Sequence, residues 1–454
     1  MNEQEARKLE QDDINHLWHH YVPHQGFMAG KPPLIYVEGK GVRLKDINGK
    51  EYIDGTSGGV WCVNVGYGND RIADAVAAQL KTLNYQGPAT GNVPAIKFAA
   101  KFLGHVPGMN RVFYASSGSE ANEKVFKLVR AIAHIKGVPS KKKVLYRERD
   151  YHGTTLATVA TSGQSMRRQW FDPLPEGFVP FSSNYCYRCP FGKQYPGCDL
   201  DCAKDVEKTI LREGPDTVGA ILIETIVASG GMIPPVPEYL PMIREICDKY
   251  DVLLAMDEVV AGMGRTGKMM GYQNYGIQPD ITTLAKGVAS GYAPISLTVT
   301  TEKVFRYFLE DASQYGFFRD ISTFGGSASA AAAAYENLSI IEEENLVENA
   351  RVMGDRLMDG LKSLLDIPCV GDVRGKGLMC GIELVADQKT RQAMDDGDVV
   401  KVVGELAKNG LIVGRTNRCF ETGNNTLYLA PPLIITASDV DVIVETLRRT
   451  LTAK

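Results

Sequence analysis

Three consecutive segments decide the fold of this chain: VGAILIE (218–224), EYLPMIREICDKY (238–250) and DVLLAMDEV (251–259). The first and the third are short apolar runs rich in valine, isoleucine and leucine, which is typical of strands that are buried on both faces. The middle segment has the apolar spacing of a helix. A strand, a helix and a strand in this order predict an α/β fold, with a mainly parallel sheet covered by helices on both faces.

The same alternation continues on both sides of these segments. RVFYAS (111–116) has the character of a strand and precedes an amphipathic pattern, EANEKVFKLVRAIAHI (120–135). Beyond residue 330 the pattern changes to an amphipathic helix (344–365). It is followed by a predicted hairpin or sheet segment, VRGKGLMCGIELV (373–385). We therefore predict a large domain and a smaller C-terminal domain against which the N-terminal segment packs. The predicted boundaries are 1–65, 66–330 and 331–454.

The composition is that of a globular enzyme. Of the 454 residues, 44% are hydrophobic and 23% are charged, and the formal net charge is only −4. Without a long basic stripe, nucleic acids and anionic membranes are poor candidate partners. The chain starts with the polar stretch MNEQEARKLEQDDIN and has no apolar run near the ~20 residues that a membrane helix needs. We therefore expect a cytoplasmic protein whose nine cysteines are reduced.

Four of the cysteines are close together in the sequence. Cys186, Cys189, Cys198 and Cys202 form a C-x2-C pair and a C-x3-C pair. Two such pairs resemble a structural zinc site, in which four thiolates surround the metal. The gap between the pairs is shorter than in common zinc fingers, so a surface loop with free thiols is the favoured interpretation. The zinc site stays open as the alternative.

The stretch ASSGSEANE (115–123) follows a predicted strand and begins a predicted helix. Ser117, Gly118 and Ser119 offer hydroxyl groups and unhindered backbone N–H groups at the helix N-terminus. The helix dipole favours an anion at this position, so the stretch is a candidate phosphate site. The alternative is simple N-capping of the helix by a serine.

Two further strand ends carry polar side chains. Tyr151 and His152 follow a predicted strand and offer flat rings that suit stacking on a planar ligand. Asp257 and Glu258 end a very apolar strand, where an acid needs a cationic or hydrogen-bonding partner. For Glu258 we expect this partner to be a helix N-terminus or an arginine. The following G-x-G-x-x-G match (262–267) is discounted as a dinucleotide site, because two acids precede it and an arginine interrupts it.

Lys286 lies in the small and apolar run TTLAKGVASG (282–291), without an acidic neighbour in the sequence. A lysine in surroundings of low dielectric is more often neutral, and the neutral amine attacks aldehydes. An aldehyde that carries a phosphate fits the site at 117–119, and its pyridine nitrogen fits Asp257. A flat ring fits against Tyr151. These four features together predict pyridoxal 5′-phosphate as the cofactor.

The segment MDEVVAGMGRTGKMMGYQNYGIQPDITTLAKGVASGYAPIS (256–296) resembles the signature of the class III pyridoxal-phosphate aminotransferases. SSGSEANE, YHGTT and LIETIVASGGMIPP resemble other motifs of this family and occur in the same order. The resemblance extends over nearly the whole chain. It implies a fold type I transferase, with a mainly parallel seven-stranded sheet in the large domain and a smaller α+β domain.

The resemblance also implies roles around the cofactor. Lys286 would bond to its aldehyde and then carry the proton between the substrate carbon and the cofactor carbon. Asp257 would pair with the ring nitrogen, and Val259 would pack on the ring face opposite Tyr151. Glu224 would lie near the cofactor. Gly118 and Ser119 would hold the phosphate.

Further roles implied by the resemblance concern the substrate and the partner subunit. Thr323 would complete the phosphate site across a dimer interface, although the following GGSA (325–328) departs from the SGHP that relatives often have. Trp61 would line the substrate pocket. Arg415 would bind the carboxylate of the acceptor. It lies one residue beyond the position of the corresponding arginine in some relatives, so the nearby Arg418 is the alternative for this role.

HLWHH (16–20), YCYRCPFGKQYPGC (185–198) and WCVNVGYG (61–68) most resemble the taurine–pyruvate aminotransferases within class III. The reaction implied is ping-pong transfer from taurine to pyruvate, which gives sulfoacetaldehyde and L-alanine. A β-alanine or broader ω-amine:pyruvate aminotransferase is the main alternative. An aminomutase of the glutamate-1-semialdehyde type, which shares the fold, is an alternative of another reaction class. A non-enzymatic binding module is disfavoured because Lys286 and Asp257 are both present. A homodimer or a dimer of dimers is implied, with sites at the subunit interface.

Overall fold

The computed structural model describes residues 2–310, 316–419 and 423–453. The strands in these ranges are β1 (Tyr36–Lys40), β2 (Arg43–Asp46), β3 (Glu51–Asp54), β4 (Arg111–Ala115), β5 (Lys143–Arg147), β6 (Phe178–Phe181), β7 (Val218–Glu224), β8 (Leu253–Asp257), β9 (Ile281–Leu284), β10 (Ser296–Thr300), β11 (Val370–Gly375), β12 (Cys380–Asp387), β13 (Gln392–Ala393), β14 (Leu411–Ile412), β15 (Gly414–Thr416) and β16 (Asn425–Leu429). The α-helices are α1 (Glu3–His16), α2 (Gln25–Met28), α3 (Asp70–Thr82), α4 (Val93–Leu103), α5 (Gly118–Ile135), α6 (Leu156–Ala160), α7 (Ser165–Arg168), α8 (Asp201–Glu213), α9 (Tyr239–Lys249), α10 (Glu302–Glu310), α11 (Ala328–Glu343), α12 (Leu346–Lys362), α13 (Asp396–Lys408) and α14 (Ala437–Thr452).

The largest sheet has seven strands in the order β4-β10-β9-β8-β7-β5-β6. Only β10 runs antiparallel to its neighbours β4 and β9, and the other pairings are parallel. All seven residues of β7 are buried, as expected for a strand that is covered on both faces. The predicted α/β class with a mainly parallel seven-stranded sheet is confirmed.

The register of this sheet brings three strand ends together. Glu224 at the end of β7 pairs with Asp257 at the end of β8, and Asp257 pairs with Thr283 of β9. Lys286 follows Thr283 by three residues, in a short 3-10 turn, Lys286–Val288. In open α/β sheets, ligands bind beyond the carboxyl ends of the strands. The three side chains therefore lie at the edge where a ligand is expected.

Two smaller sheets contain the other strands. One has the order β1-β2-β3-β14 and joins the N-terminal strands to Leu411–Ile412. The other has the order β11-β12-β16-β15, with β13 on β12, and includes the predicted hairpin as the antiparallel pair β11–β12. The N-terminal strands thus pair with the C-terminal region, while the boundaries at residues 65 and 330 stay predictions.

The loop after β3 is fixed by the segment after β16. Backbone bonds of 2.7 Å join Ala430 N to Gly55 O and Leu433 N to Asn64 O. The Ser57 hydroxyl donates to Ala430 O at 2.6 Å. Within this loop, Trp61 has a φ of 61°, a left-handed conformation that is unfavourable for a bulky residue. The two distant segments together hold the loop in this shape.

None of the helices in the described ranges is long and apolar enough to span a membrane.

Candidate active site

Asp257 is the centre of a buried hydrogen-bond network at the end of β8. Its Oδ2 accepts hydrogen bonds from Asn122 Nδ2 and contacts His152 Nδ1, both at 2.8 Å, and its Oδ1 accepts from Val259 N at 3.0 Å. The residue is only 4% exposed. No lysine or arginine of the described residues lies within ion-pair distance of this carboxylate. A carboxylate that is fixed and desolvated in this way needs a cationic partner from outside the chain.

Sequence reasoning missed Asn122. Its Nδ2 also donates to His152 O at 2.8 Å, and its Oδ1 accepts from the Thr283 hydroxyl at 2.9 Å. It therefore joins helix α5 to the ends of β8 and β9. The available signal was a lone amide in the SEANE motif, in the first two turns of a helix that otherwise buries apolar side chains and Lys124.

Glu224 fixes the main chain beside Asp257. One carboxylate oxygen accepts from Tyr151 N at 2.9 Å and the other from Ala228 N at 3.0 Å. Burial and the negative charges of Asp150 and Asp257 raise the pKa of Glu224 well above its ordinary value. Glu224 therefore acts on the site by positioning Tyr151.

A buried ion pair that the sequence did not indicate supports this arrangement. Arg147 donates to Asp150 Oδ1 from Nε at 3.1 Å and from Nη2 at 2.9 Å, and both residues are fully buried. Asp150 in turn accepts from Glu224 N at 2.9 Å. The pair ties the end of β5 to the end of β7.

Tyr151 and His152 have different surroundings. The His152 ring is 1% exposed and its Nδ1 faces Asp257, so the ring that we expected to stack on a ligand instead orients a carboxylate. The Tyr151 ring is partly buried, and the Arg167 guanidinium lies 4.1 Å from its centroid. Burial raises the pKa of the Tyr151 hydroxyl. Of the two rings, Tyr151 is the one placed for stacking.

The start of α5 has the form of an anion site. Ser117 is the N-cap, and its hydroxyl accepts from Glu120 N at 3.2 Å, so the capping interpretation holds for this side chain. The first intrahelical bond runs from Ala121 N to Ser117 O. The N–H groups of Gly118 and Ser119 precede it and need another acceptor. A Cβ at Gly118 would lie 3.2 Å from Val259 Cγ2, so only glycine keeps this space open.

Lys286 is partly buried and lies against an aromatic wall. Its Nζ is 6.0 Å from the centroid of the Trp61 ring, and no carboxylate of the described residues forms an ion pair with it. The Trp61 ring packs against Tyr428 with centroids 5.0 Å apart. The lysine charge is therefore not held by an acid, which leaves the amine available for chemistry.

The structure separates the two candidate arginines. Arg415 lies on β15 and its Nη1 forms an ion pair of 2.7 Å with Asp396 Oδ1 at the start of α13. Burial raises the pKa of Asp396, but hydrogen bonds from Arg415 and Asn417 outweigh this effect and lower it. Arg415 is thus engaged within the C-terminal region, which does not support its predicted role in the substrate pocket.

Arg418 shares the Tyr21 ring with Arg167, which also lies against Tyr151. Its guanidinium is 4.2 Å from the centroid of Tyr21, and Arg167 is 4.7 Å from the same ring. Burial lowers the pKa of Arg418, the Tyr21 hydroxyl opposes this effect, and the positive charge of Arg167 adds to it. Both guanidinium groups therefore lie against the Tyr21 ring. Arg167 was another residue that sequence reasoning missed.

Thr323 lies in an exposed loop and makes no contact with the residues around Asp257. Its carbonyl accepts from the Tyr85 hydroxyl at 3.0 Å. It lines a cavity of about 490 Å³ together with Ser116 and Glu120, next to the start of α5. Its predicted role across a dimer interface concerns a second subunit and stays a prediction.

Glu258 has partners within the protein. It accepts from the Thr225 hydroxyl, from Gly271 N at 2.5 Å and from Tyr272 N at 3.1 Å, at the start of the 3-10 helix Gly271–Tyr275. Burial raises its pKa to about 7. As expected from the sequence, a helix N-terminus satisfies this carboxylate.

The four clustered cysteines carry free thiols. Burial is the main cause that raises the pKa of Cys186, and the neighbouring Cys198 and Cys189 add to it. Within the ranges that the structure describes, no three histidine, cysteine or acidic side chains are arranged to hold a metal ion. Whether Cys186, Cys189, Cys198 and Cys202 bind zinc stays a prediction, with the free-thiol loop as the favoured interpretation.

The site as a whole fits one ligand. Among the residues that the structure describes, the Asp257 carboxylate has no lysine or arginine partner, the Lys286 amine has no acid, and the N–H groups of Gly118 and Ser119 have no acceptor. A protonated ring nitrogen, an aldehyde and a phosphate would satisfy the three in turn. Pyridoxal 5′-phosphate carries these groups on one flat ring.

Comparison with known proteins agrees with this chemistry. Residues 27–451 match the family of class III aminotransferases. The taurine–pyruvate aminotransferase of Bilophila wadsworthia (strain 3_1_6) is 51% identical over 434 residues, which are 95% of this chain and 94% of that protein. The hypotaurine/taurine–pyruvate aminotransferase of Paracoccus denitrificans (strain Pd 1222) is 52% identical over 443 residues, 97% of this chain and 96% of that protein.

A solved structure agrees as well. The crystal structure of a Bacillus anthracis aminotransferase superimposes with a TM-score of 0.95 at 38% identity and covers 100% of both chains. The fold is therefore that of the fold type I enzymes that depend on pyridoxal 5′-phosphate. The match over most of the chain, together with the geometry around Asp257 and Lys286, shows that this chain belongs to the class III aminotransferases.

Proposed function

We propose that this enzyme transfers the amino group of taurine to pyruvate and forms sulfoacetaldehyde and L-alanine. The observation that carries the proposal is that the guanidinium groups of Arg418 and Arg167 both lie against the Tyr21 ring, and that Arg167 also lies against Tyr151. Taurine ends in a sulfonate and pyruvate in a carboxylate, and guanidinium groups bind both through several N–H donors. The activities for which the relatives at 51% and 52% identity are named support the same choice.

The residues for the cofactor follow from the geometry. Pyridoxal 5′-phosphate, when bound, supplies an aldehyde that receives the donor nitrogen and a ring that withdraws electrons from the reacting carbon. Asp257 would hold the protonated ring nitrogen, because its carboxylate is already oriented by Asn122 and His152. Gly118 and Ser119 would hold the phosphate through their N–H groups. Val259, which lies against Gly118, and Tyr151 would cover the two faces of the ring.

We assign the proton transfer to Lys286. Its Nζ would take the proton from the substrate carbon that bears the nitrogen and would deliver it to the cofactor carbon. The amine is suited to this step because it forms no ion pair with an acid of the described residues and lies beside the Trp61 ring. Glu224 supports the step indirectly, since it holds the main chain of Tyr151.

Arg418 and Arg167 would hold the acid group of each substrate in turn. The donor product leaves before the acceptor binds, so one pair of cations serves the sulfonate first and the carboxylate later. Arg418, rather than the predicted Arg415, takes this role because Arg415 is held by Asp396. The apolar wall of Trp61 and Tyr428 then orients the carbon chain towards Lys286.

The test is donor competition with purified enzyme loaded with pyridoxal 5′-phosphate. Taurine, β-alanine and a simple aryl-alkyl amine are each supplied with pyruvate, and alanine is measured. We expect the highest kcat/KM with taurine. A much higher value with β-alanine would replace taurine by the ω-amine alternative, and the absence of alanine with every donor would contradict transamination to pyruvate.

We also propose that the enzyme is at least a homodimer in which Thr323 reaches the phosphate site of the partner. The loop that carries Thr323 exposes Ile321 (70%) and Phe324 (63%). The neighbouring Tyr85 packs its ring against Phe324, with centroids 5.8 Å apart. A contiguous apolar surface of this kind is typical of a subunit interface.

The dimer is tested by sedimentation of Phe324→Glu, with Leu211→Glu as the matched control. Leu211 is also exposed (55%) but lies on α8, away from this surface. We expect Phe324→Glu to dissociate the assembly and to lose activity, whereas Leu211→Glu keeps both. A wild-type protein that sediments as an active monomer would contradict the proposal.

A further inference from the structure

The loop that carries Arg418 is attached to the segment that carries Arg167. Met166 N, in α7, donates to Arg418 O at 3.2 Å, and the Cys419 thiol donates to Gly163 O at 3.9 Å. The main chains beside the two arginines are therefore joined. Long arginine side chains keep much rotational freedom unless further contacts fix them. The direction of the two guanidinium groups thus depends on what they contact.

The contacts of these two groups are not ion pairs. Among the residues that the structure describes, neither Arg167 nor Arg418 has an acid within ion-pair distance. Arg167 Nε donates to Gln164 Oε1 at 3.0 Å, whereas the buried Nε of Arg418 has no acceptor in the described ranges. Buried donors without an acceptor are rare in native structures, so an acceptor from a ligand would stabilise this arrangement.

One aromatic ring contacts both guanidinium groups. The centroid of the Tyr21 ring lies 4.2 Å from the guanidinium carbon of Arg418 and 4.7 Å from that of Arg167, and both distances are within the range of cation–π interactions. The Tyr21 hydroxyl is also hydrogen-bonded to Arg418. A second ring, that of Tyr151, lies 4.1 Å from Arg167. Tyr21 is therefore the contact that the two cations have in common.

The turn that contains Tyr21 follows α1 and is closed by two histidines. His19 N donates to His24 Nε2 at 3.0 Å, and His19 Nε2 lies 2.7 Å from Oδ1 of Asp13, a buried residue of α1. Tyr21 has a φ of 61°, in the left-handed region that is unfavourable for a bulky side chain. Strained backbone of this kind persists where surrounding contacts hold it, and it clusters at functional sites. Contacts within the N-terminal segment thus set the position of the ring.

We propose that Tyr21 is a positioning residue that directs Arg418 and Arg167 towards the acid group of each substrate and so favours donors that carry such a group. The inference rests on the proposed function of the two arginines. A ring stabilises guanidinium groups through its face and leaves their charge in place, so an arriving sulfonate or carboxylate still meets two cations. An acid in the place of the ring would instead compete with the substrate, as Asp396 would at Arg415.

The test is steady-state kinetics of Tyr21→Leu and Tyr21→Phe, each loaded with pyridoxal 5′-phosphate. Tyr21→Leu removes the ring that the two guanidinium groups share. It should raise KM for taurine and for pyruvate by about tenfold and leave kcat within about twofold of wild type. Tyr21→Phe keeps the ring and should raise both KM values by only about two- to threefold. Tyr195→Leu, at another exposed tyrosine, whose hydroxyl donates to Glu238, is the matched control and should change neither parameter.

A double variant separates positioning from a general effect on folding. If Tyr21 acts through the arginines, Tyr21→Leu should change KM less in an Arg418→Ala background than in the wild type. Unchanged KM values in Tyr21→Leu, or an equal fold-change in both backgrounds, would overturn the inference, while taurine transfer by the wild type would still support the proposed function. If the wild type prefers β-alanine, the proposed donor is wrong. The KM values of β-alanine and pyruvate then test Tyr21 in the same way, because both carry a carboxylate.

Discussion

Asp257 and Arg418 lie on two sides of the proposed active site, but different kinds of structure hold them in place. Asp257 ends a central strand of the seven-stranded sheet and has fixed partners in α5 and beyond β5. Arg418 lies in a loop after β15, and its nearest aromatic contact, Tyr21, comes from the other end of the chain. The cofactor side is thus held by strand register, whereas the substrate side is held by loops from distant segments.

The difference indicates how the two sides tolerate change. On the cofactor side, one carboxylate is bonded to several groups, so a substitution removes chemistry that nothing nearby replaces. On the proposed substrate side, two guanidinium groups lie against one ring, so the loss of one leaves the other in place. We therefore expect larger effects of substitution around Asp257 and Lys286 than around Arg418.

The largest effect is expected for Lys286→Ala. This variant lacks the amine that we propose to carry the proton of the substrate carbon. We therefore expect kcat to fall by about 10²–10⁴-fold or more. The absorbance of the lysine-bound cofactor should disappear as well. Lys303→Ala, at an exposed lysine on α10, should leave both unchanged. A variant Lys286→Ala that still binds the cofactor covalently would show that the reactive amine lies elsewhere.

The next effect is expected for Asp257→Asn. The amide keeps the shape of the side chain but not the negative charge, so kcat should fall by about 10²–10³-fold. Glu258→Gln is the matched comparison, because this neighbouring carboxylate bonds only to groups of the protein. Alanine formation with saturating substrates measures both. Equal losses of kcat in the two variants would contradict the separation between a ligand-facing and a structural carboxylate.

A smaller effect is expected for Arg418→Ala. The loss of hydrogen bonds to a charged acid group should lower kcat/KM by about 10- to 100-fold, mainly through a higher KM for taurine and for pyruvate. Arg415→Ala should change KM little, because Arg415 is paired with Asp396. Steady-state kinetics with both substrates distinguish the two. A larger change in Arg415→Ala would restore the original assignment from the sequence.

The smallest effect concerns stability and its dependence on pH. The pKa of Glu258 is raised to about 7 in the folded protein, so the folded state keeps a proton that the unfolded state releases at lower pH. The stability that this proton provides is complete below the unfolded pKa. It is lost as pH rises through the folded pKa, by at most about 1.4 kcal/mol per pH unit.

Glu258→Gln should therefore gain stability relative to wild type as pH rises from about 5 to 7, because the amide has no proton to release. Urea midpoints of the two proteins at several pH values measure this difference. A difference that does not change with pH would mean that Glu258 is ionised in the folded protein.

On the cofactor side, the sequence predicted where the strands before Glu224 and Asp257 end, because strand ends are visible in a sequence. The apolar runs before Glu224 and Asp257 fix where each strand ends, and parallel pairing then places both acids at one edge. Asn122 was missed because its contact with Asp257 joins residues that are 135 positions apart. No local pattern indicates such a contact.

The substrate side is harder to predict for a physical reason. Arg415 lies on a short strand, where the alternation of side chains sets its direction, but β15 ends at Thr416. The direction of Arg418 is set by the packing of its loop on Tyr21 and Arg167, which periodicity does not describe. The cofactor roles, by contrast, came largely from the resemblance to a family, and the network around Asp257 supplies the reason for them.

The bonds between the loop after β3 and the segment after β16 have a consequence for synthesis of the chain on the ribosome. Ala430 and Leu433 hold Gly55 and Asn64, so the wall that carries Trp61 cannot settle until nearly the last residues have emerged. A nascent chain that stops after β10 already contains Lys286 and Asp257 but lacks that wall and both candidate arginines beyond residue 411. We expect such an intermediate to be able to take up cofactor before it can recognise an amine donor. Selection among amine donors therefore begins only when synthesis of the chain is nearly complete.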